Sequence, residues 1–287
     1  MNVLIAVTFF WTLSEKVVCY YGSWAGYRNG NGKFDISQFD PTLCTHVIYG
    51  FVGINWDGSI RILDAWNDLG DNGGLNGFGK LVGLKKKSPS TKMMVAVGGW
   101  NEGSATFSNV ASNPALRKAF AKNSATFVNK YGFDGFDIDW EYPNQRGGKQ
   151  EDINNFVEML KECNTELKKK GKILSVAVGA TESLASLSYK IDKVAQNVDF
   201  INLMTYDLHG TWDGVTGHHA GLYSSTSGDK LTVVSILGSD IWNYRILISI
   251  SLKSLKKTFI SLARSRTLLV EEWLPTWETN PWSAILR

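Results

Sequence analysis

The sequence predicts an α/β fold built on a parallel sheet with helices outside it, and two observations carry that prediction. Apolar, β-branched runs of strand length recur at Val17 to Tyr21, His46 to Phe51, Met93 to Val97, Gly135 to Asp139, Ile173 to Val178 and Phe200 to Met204. Stretches with helical periodicity separate several of them, and strand-helix alternation of this kind calls for crossover connections and a parallel sheet. The 287 residues permit one large domain, and barrels of this class occupy about 250 residues.

The elements follow in order. Asn113 and Pro114 form a helix start, a capping side chain followed by proline in the first turn, after which Leu116, Phe120, Phe127 and Tyr131 recur at helical spacing. Ile153, Phe156, Val157, Leu160, Cys163 and Leu167 mark a second, cleaner amphipathic helix. Lys168 to Lys170 sit at its negative end and Gly171 stands beyond it. Cys163 falls on its apolar side, which predicts a buried free thiol. At the other end of the chain, Asn2 to Leu13 form an apolar run too short to span a bilayer, so residues 1–14 are expected to be a signal peptide and the protein to be secreted. No other stretch is long and apolar enough for membrane insertion. A formal net charge of +3 gives no reason to expect a nucleic-acid partner.

Residues 133 to 143 read Phe-Asp-Gly-Phe-Asp-Ile-Asp-Trp-Glu-Tyr-Pro and place Asp137, Asp139 and Glu141 at every second position. In an extended strand these three side chains point to one face and Phe136, Ile138 and Trp140 to the other. Like charges this close raise at least one pKa. A raised acid beside an ionised carboxylate is what glycoside hydrolysis uses. A cation site at a strand end or a solvated acidic edge would show the same spacing. The flanking residues tilt the balance toward chemistry: Gly135 admits close approach, and Pro143 ends the strand where a loop begins.

The segment Asp134-Gly-Phe-Asp-Ile-Asp-Trp-Glu-Tyr-Pro143 resembles the active-site signature of glycoside hydrolase family 18, the chitinases and their relatives. Val18-Cys-Tyr-Tyr-Gly-Ser-Trp24 resembles that family's first strand, Val97-Gly-Gly-Trp100 its third and Met204-Thr-Tyr-Asp207 its sixth. Together with Asp40-Pro-Thr-Leu-Cys-Thr-His46 and Trp212-Asp-Gly-Val-Thr-Gly-His218, these segments look most like an arthropod-type chitinase. The resemblance implies a (β/α)8 TIM barrel with its chemistry at the C-terminal ends of the strands. Glu141 just beyond the fourth strand and Tyr206-Asp207 after the sixth obey that rule.

The resemblance also implies roles. Glu141 would protonate the glycosidic oxygen, and catalysis would be substrate-assisted and retaining, the sugar's N-acetyl oxygen acting as nucleophile. Asp139 would orient the N-acetyl group, Asp137 would support Asp139, and the Tyr206 hydroxyl would hold the N-acetyl oxygen. Trp100, Met204, Asp207, Tyr20 and Trp24 would line the substrate site, with Trp212 a weaker candidate. The expected partner is chitin or a chitooligosaccharide bound by a monomer, without a cofactor. No metal is expected, because His209, His218 and His219 lack further ligands at a recognised spacing. Cys19 and Cys44 would be bridged, as the family commonly has them. Ala96 departs from the pattern, where a serine usually stands two residues before the Gly-Gly pair.

The resemblance covers about Val17 to Thr232, so the catalytic barrel is expected over 15–232 with strands 1–6 recognisable. Strands 7–8 and the inserted α+β subdomain are not recognisable, and residues 233–287 read as a non-matching basic tail. Ile241 to Val270 holds six basic residues and no acidic one. A truncated or mis-spliced reading frame is the simplest expectation for this part, and an incomplete barrel would be inactive. The alternative function is a non-catalytic, lectin-like chitin-binding protein. Relatives of that kind usually lack the catalytic acid, so Glu141 favours the enzyme.

Overall fold

The computed structural model describes residues 16–221. The expected signal peptide and the basic tail lie outside the described residues. Among the described residues there are seven strands: β1 (Val18–Gly22), β2 (His46–Ile54), β3 (Ile60–Arg61), β4 (Lys92–Gly98), β5 (Gly135–Asp139), β6 (Ile173–Gly179) and β7 (Phe200–Met204). Six of them form one parallel sheet in the order β1-β2-β4-β5-β6-β7, and β3 is a short hairpin partner of β2. All six expected strands are there, each within a few residues of its predicted bounds. Sequential neighbours joined by crossovers give a curved parallel wall, six strands of the (β/α)8 kind.

Side-chain alternation sorts the strand residues into two layers. Val47, Tyr49, Val95, Phe136, Ile138, Leu174 and Val176 face outward and are buried in the main core. Ile48, Met94, Ala96 and Phe200 form a separate inner cluster, with Tyr20, Phe51 and Ile173 against it. Both faces are covered, which is why these strands read as nearly continuous apolar runs.

Helices α1 (Ala65–Asp68), α2 (Gly77–Gly83), α3 (Ala105–Ser112), α4 (Pro114–Tyr131), α5 (Asp152–Lys168), α6 (Glu182–Ser188) and α7 (Ile191–Ala195) complete the described elements. The two predicted helices are α4 and α5. Asn113 caps α4 as expected, its side-chain oxygen accepting from Ala115 N at 2.9 Å and Leu116 N at 3.4 Å. Phe156, Leu160, Cys163 and Leu167 of α5 are buried, and Cys163 is a free thiol. The short helices were not predicted, since one or two turns give too few residues for a periodic signal.

The first crossover, from β1 to β2, contains four 3₁₀ turns and no α-helix. Phe34, Ile36 and Phe39 do the covering there, packed in the core with Tyr21. Cys19 and Cys44 are bridged, with Cα atoms 6.1 Å apart, which ties the start of β1 to the residues just before β2.

Candidate active site

β5 carries the acids because it alternates. Asp137 and Asp139 point inward and Phe136 and Ile138 outward, every one of them buried. Glu141 is buried two residues past the strand end. Trp140 between them faces the other way, stacked on Phe107 at 5.3 Å and edge-on to Phe156 at 5.5 Å. Its indole Nε1 donates to Ser104 Oγ at 3.0 Å, and Ser104 Oγ donates to the Tyr142 carbonyl at 2.9 Å. The backbone on both sides of Glu141 is thereby fixed to the start of α3.

Asp137 is held by three donors from three strands. Tyr20 Oη of β1 donates to Oδ2 at 2.8 Å, Asn202 Nδ2 of β7 donates to Oδ1 at 3.2 Å, and Ser175 Oγ of β6 makes a short bond to Oδ1. Asn202 Nδ2 also reaches Tyr20 Oη at 2.9 Å. Burial raises the Asp137 pKa to about 6, and these three hydrogen bonds hold it from going higher. Ala96 of β4 pairs with Asp137 in register on one side and Ser175 of β6 on the other. The hydroxyl missing at Ala96 is therefore matched by one from the opposite neighbour.

Asp139 is different in kind. Its Oδ1 is buried with no hydrogen-bond partner among the described residues. Burial first, then Glu141 and then Asp137 push its pKa well above the ordinary carboxylate range. Glu141 is raised as well, by burial above all; a hydrogen bond with Tyr142 and the charge of Arg146 oppose the rise, and Asp207 adds to it. Each of the three carboxyls is thus shifted toward its protonated form.

Tyr206 and Asp207 follow β7 at the same end of the sheet. Tyr206 is partly open, yet burial of its hydroxyl, followed by Asp139 and Glu141, raises its pKa, so it stays a neutral donor. Asp207 is exposed, lies 3.3 Å from His219 Nδ1 and has a left-handed φ of 53°. Met204 is partly buried on the same face of β7 as Asn202. Trp100 opens the turn after β4 and is 59% exposed. That turn depends on Gly98, whose φ is +110° and where a Cβ would lie 2.1 Å from the Asp139 carbonyl. Trp24 is exposed and stacks on Phe51 at 6.0 Å. Trp212, also exposed, lies in the loop after β7.

The structure thus gathers Asp137, Asp139, Glu141 and Tyr206 into one electrostatic unit, and Tyr20 joins it through Asp137 rather than standing apart as a wall residue. Ser175, Asn202, Tyr142, Arg146 and Ser104 were not foreseen. Ser175 and Asn202 did leave a signal, each being a polar residue at an inward position of an otherwise apolar strand. Among the described residues no group of three or more His, Cys, Asp or Glu is placed to hold a metal ion. No described helix is long and apolar enough to cross a membrane.

Acids stacked along one strand, at the C-terminal mouth of a parallel barrel wall, with a neutral tyrosine beside them, form an arrangement that can carry acid-base chemistry. The chain belongs to the glycosyl hydrolases family 18, whose model matches residues 16–251. It is 43% identical over 220 residues to Probable chitinase 2 of Drosophila melanogaster, covering 76% of this chain and 45% of that protein. It is 37% identical over 213 residues to the endochitinase of Manduca sexta, covering 72% and 38%. The Group IV chitinase of Ostrinia furnacalis, crystallised with allosamidin, superposes with a TM-score of 0.71 at 47% identity, covering 74% of this chain and 57% of that one. These matches make the six described strands part of a (β/α)8 barrel of the chitinase type. The chain spans less than half the length of the curated relatives named here.

Proposed function

We propose that this domain hydrolyses β-1,4-linked N-acetylglucosamine polymers by substrate-assisted, retaining catalysis. The observation that supports it best is the buried, partnerless Oδ1 of Asp139 beside Glu141, whose pKa burial raises. A buried acceptor without a partner is costly in the free protein and calls for a donor. The N–H of a substrate acetamido group is such a donor.

The steps then balance as follows. The acetamido oxygen attacks the anomeric carbon while the bond to the leaving oxygen breaks and Glu141 gives that oxygen its proton. The oxazolinium so formed carries positive charge on nitrogen, which Asp139 stabilises, with Asp137 behind it. Tyr206 donates to the acetamido oxygen and keeps it aimed. Glu141, now ionised, takes a proton from water, the water oxygen bonds to the anomeric carbon, and the ring opens back to the acetamide with the β configuration restored. Trp100, Trp24, Met204 and Asp207 are the proposed sugar contacts. The reading places the protein outside the cell as a monomer without cofactor, in keeping with the bridged Cys19 and Cys44.

Glu141→Gln keeps the shape and removes the proton, so turnover should fall at least about 10²-fold while chitooligosaccharide binding survives. NMR of fresh products should show the β anomer first. Activity within a few-fold of the parent, or the α anomer first, overturns the proposal.

A further inference from the structure

Between Pro143 and α5 the chain makes a tight loop whose backbone is left-handed at Asn144 (φ 65°), Arg146 (φ 51°) and Gly147 (φ 95°). Side chains other than glycine avoid that region, and it persists where surroundings enforce it. Here they do. Asn144 Nδ2 donates to the Leu187 carbonyl at 3.0 Å and Gln145 Nε2 to Ser188 Oγ at 2.7 Å, both on α6. Lys149 N donates to Asp152 Oδ2 at 2.6 Å, and Asp152, buried at the start of α5, also accepts from Ser108 of α3 at 3.0 Å.

This fixed loop delivers one exposed side chain to two places at once. The guanidinium carbon of Arg146 lies 3.6 Å from the centre of the Trp100 ring, and Arg146 Nη1 donates to the Glu141 carbonyl at 2.9 Å. A planar guanidinium can stack on an indole and still donate in its own plane, which an ammonium cannot.

We infer that Arg146 is a positioning residue that closes one face of the Trp100 indole, so that a sugar meets the other, and that fastens this platform to the backbone carrying Glu141. The inference rests on the function proposed above. It has an electrostatic consequence. Glu141 faces Asp139 of β5, Tyr206 and Asp207 from the segment after β7, and its neighbour Tyr142. Arg146 brings positive charge against Glu141 and favours its ionised form.

The test uses the full chain with a chitooligosaccharide substrate, comparing Arg146→Gln, Arg146→Lys and the parent, with thermal melts to show that each is folded. Arg146→Gln should raise KM by about 2- to 5-fold, the value of a stacked cation at an exposed site. It should also move the basic limb of the kcat/KM profile upward by roughly half a pH unit, because Glu141 keeps its proton longer. Arg146→Lys should keep the parental limb and share the raised KM. Quenching of tryptophan fluorescence by the oligosaccharide should weaken in both variants, a readout that needs no turnover. A Gln variant with the parental KM and quenching, or one that loses kcat equally at every pH with the limb unmoved, overturns the inference. Glu141→Gln in parallel separates the two claims. If that variant stays active, the proposed function fails; if it is inactive and Arg146→Gln behaves as the parent, only the role of Arg146 fails.

Discussion

Tyr20, near the start of the sheet, donates its hydroxyl to Asp137 on the fourth strand of the parallel wall, 2.8 Å away and 117 residues later in the chain. The bond crosses the barrel interior rather than following the sheet, so it reports whether the wall has curved correctly around the acids.

Tyr20→Phe should therefore act through Asp137. It removes one donor to Oδ2 and the oxygen that Asn202 Nδ2 also contacts, at a cost of about 1 to 3 kcal/mol. In steady-state kinetics kcat should fall with KM nearly unchanged. A change confined to KM would instead make Tyr20 a direct sugar contact.

Tyr206→Phe should lower kcat by about 10- to 100-fold, the worth of one hydrogen bond to a group that becomes charged. The loss should fall on the first chemical step, so single-turnover rates should drop in step with kcat. Unchanged single-turnover rates would remove Tyr206 from the chemistry.

The pH dependence of stability carries the signature of Asp137. Its folded pKa, about 6, is raised above the ordinary carboxylate value, so folding favours the protonated form. That contribution is fully present below about pH 4, where both states are protonated, and is lost as pH rises through 6. Urea titrations should show the parent losing about 2 to 3 kcal/mol relative to Asp137→Asn between pH 4 and pH 7. A flat difference would mean that Asp137 titrates normally.

Thiol titration of denatured protein without reductant should find one free group, Cys163, among the three cysteines. Cys19→Ser should cost about 2 to 5 kcal/mol, read from the urea midpoint. Three free thiols in oxidised material would contradict the bridge.

The strands could be read because a sheet buried on both faces needs unbroken apolar runs, and the acids because alternation exposes them to any reader who counts by two. What escaped is what depends on curvature. Asn202 looks like an isolated polar interruption until the wall bends and brings it to Asp137, while Ser175 reaches Asp137 through the register of two adjacent strands, which the sequence does not display. Arg146 sits in a loop that sequence patterns leave blank, and its partner Trp100 is 46 positions earlier. The first crossover escaped for a different reason: Phe34, Ile36 and Phe39 have neither helical nor strand spacing, since they lie in and between short 3₁₀ turns.

That crossover has a consequence for how the protein can change. Its two ends are joined by the Cys19–Cys44 bond at the base of the sheet, and its apolar grip on the wall comes from a few aromatic and aliphatic side chains rather than from a helix that must keep its register. Insertions and deletions between those anchors lengthen or shorten a closed loop without shifting either strand, and doubling a loop's length costs only about 0.6 kcal/mol. Trp24 and Tyr27 ride on this loop, both exposed. The loop that carries these two rings can therefore be remodelled by lineage or by an engineer while the strand that carries the acids stays untouched.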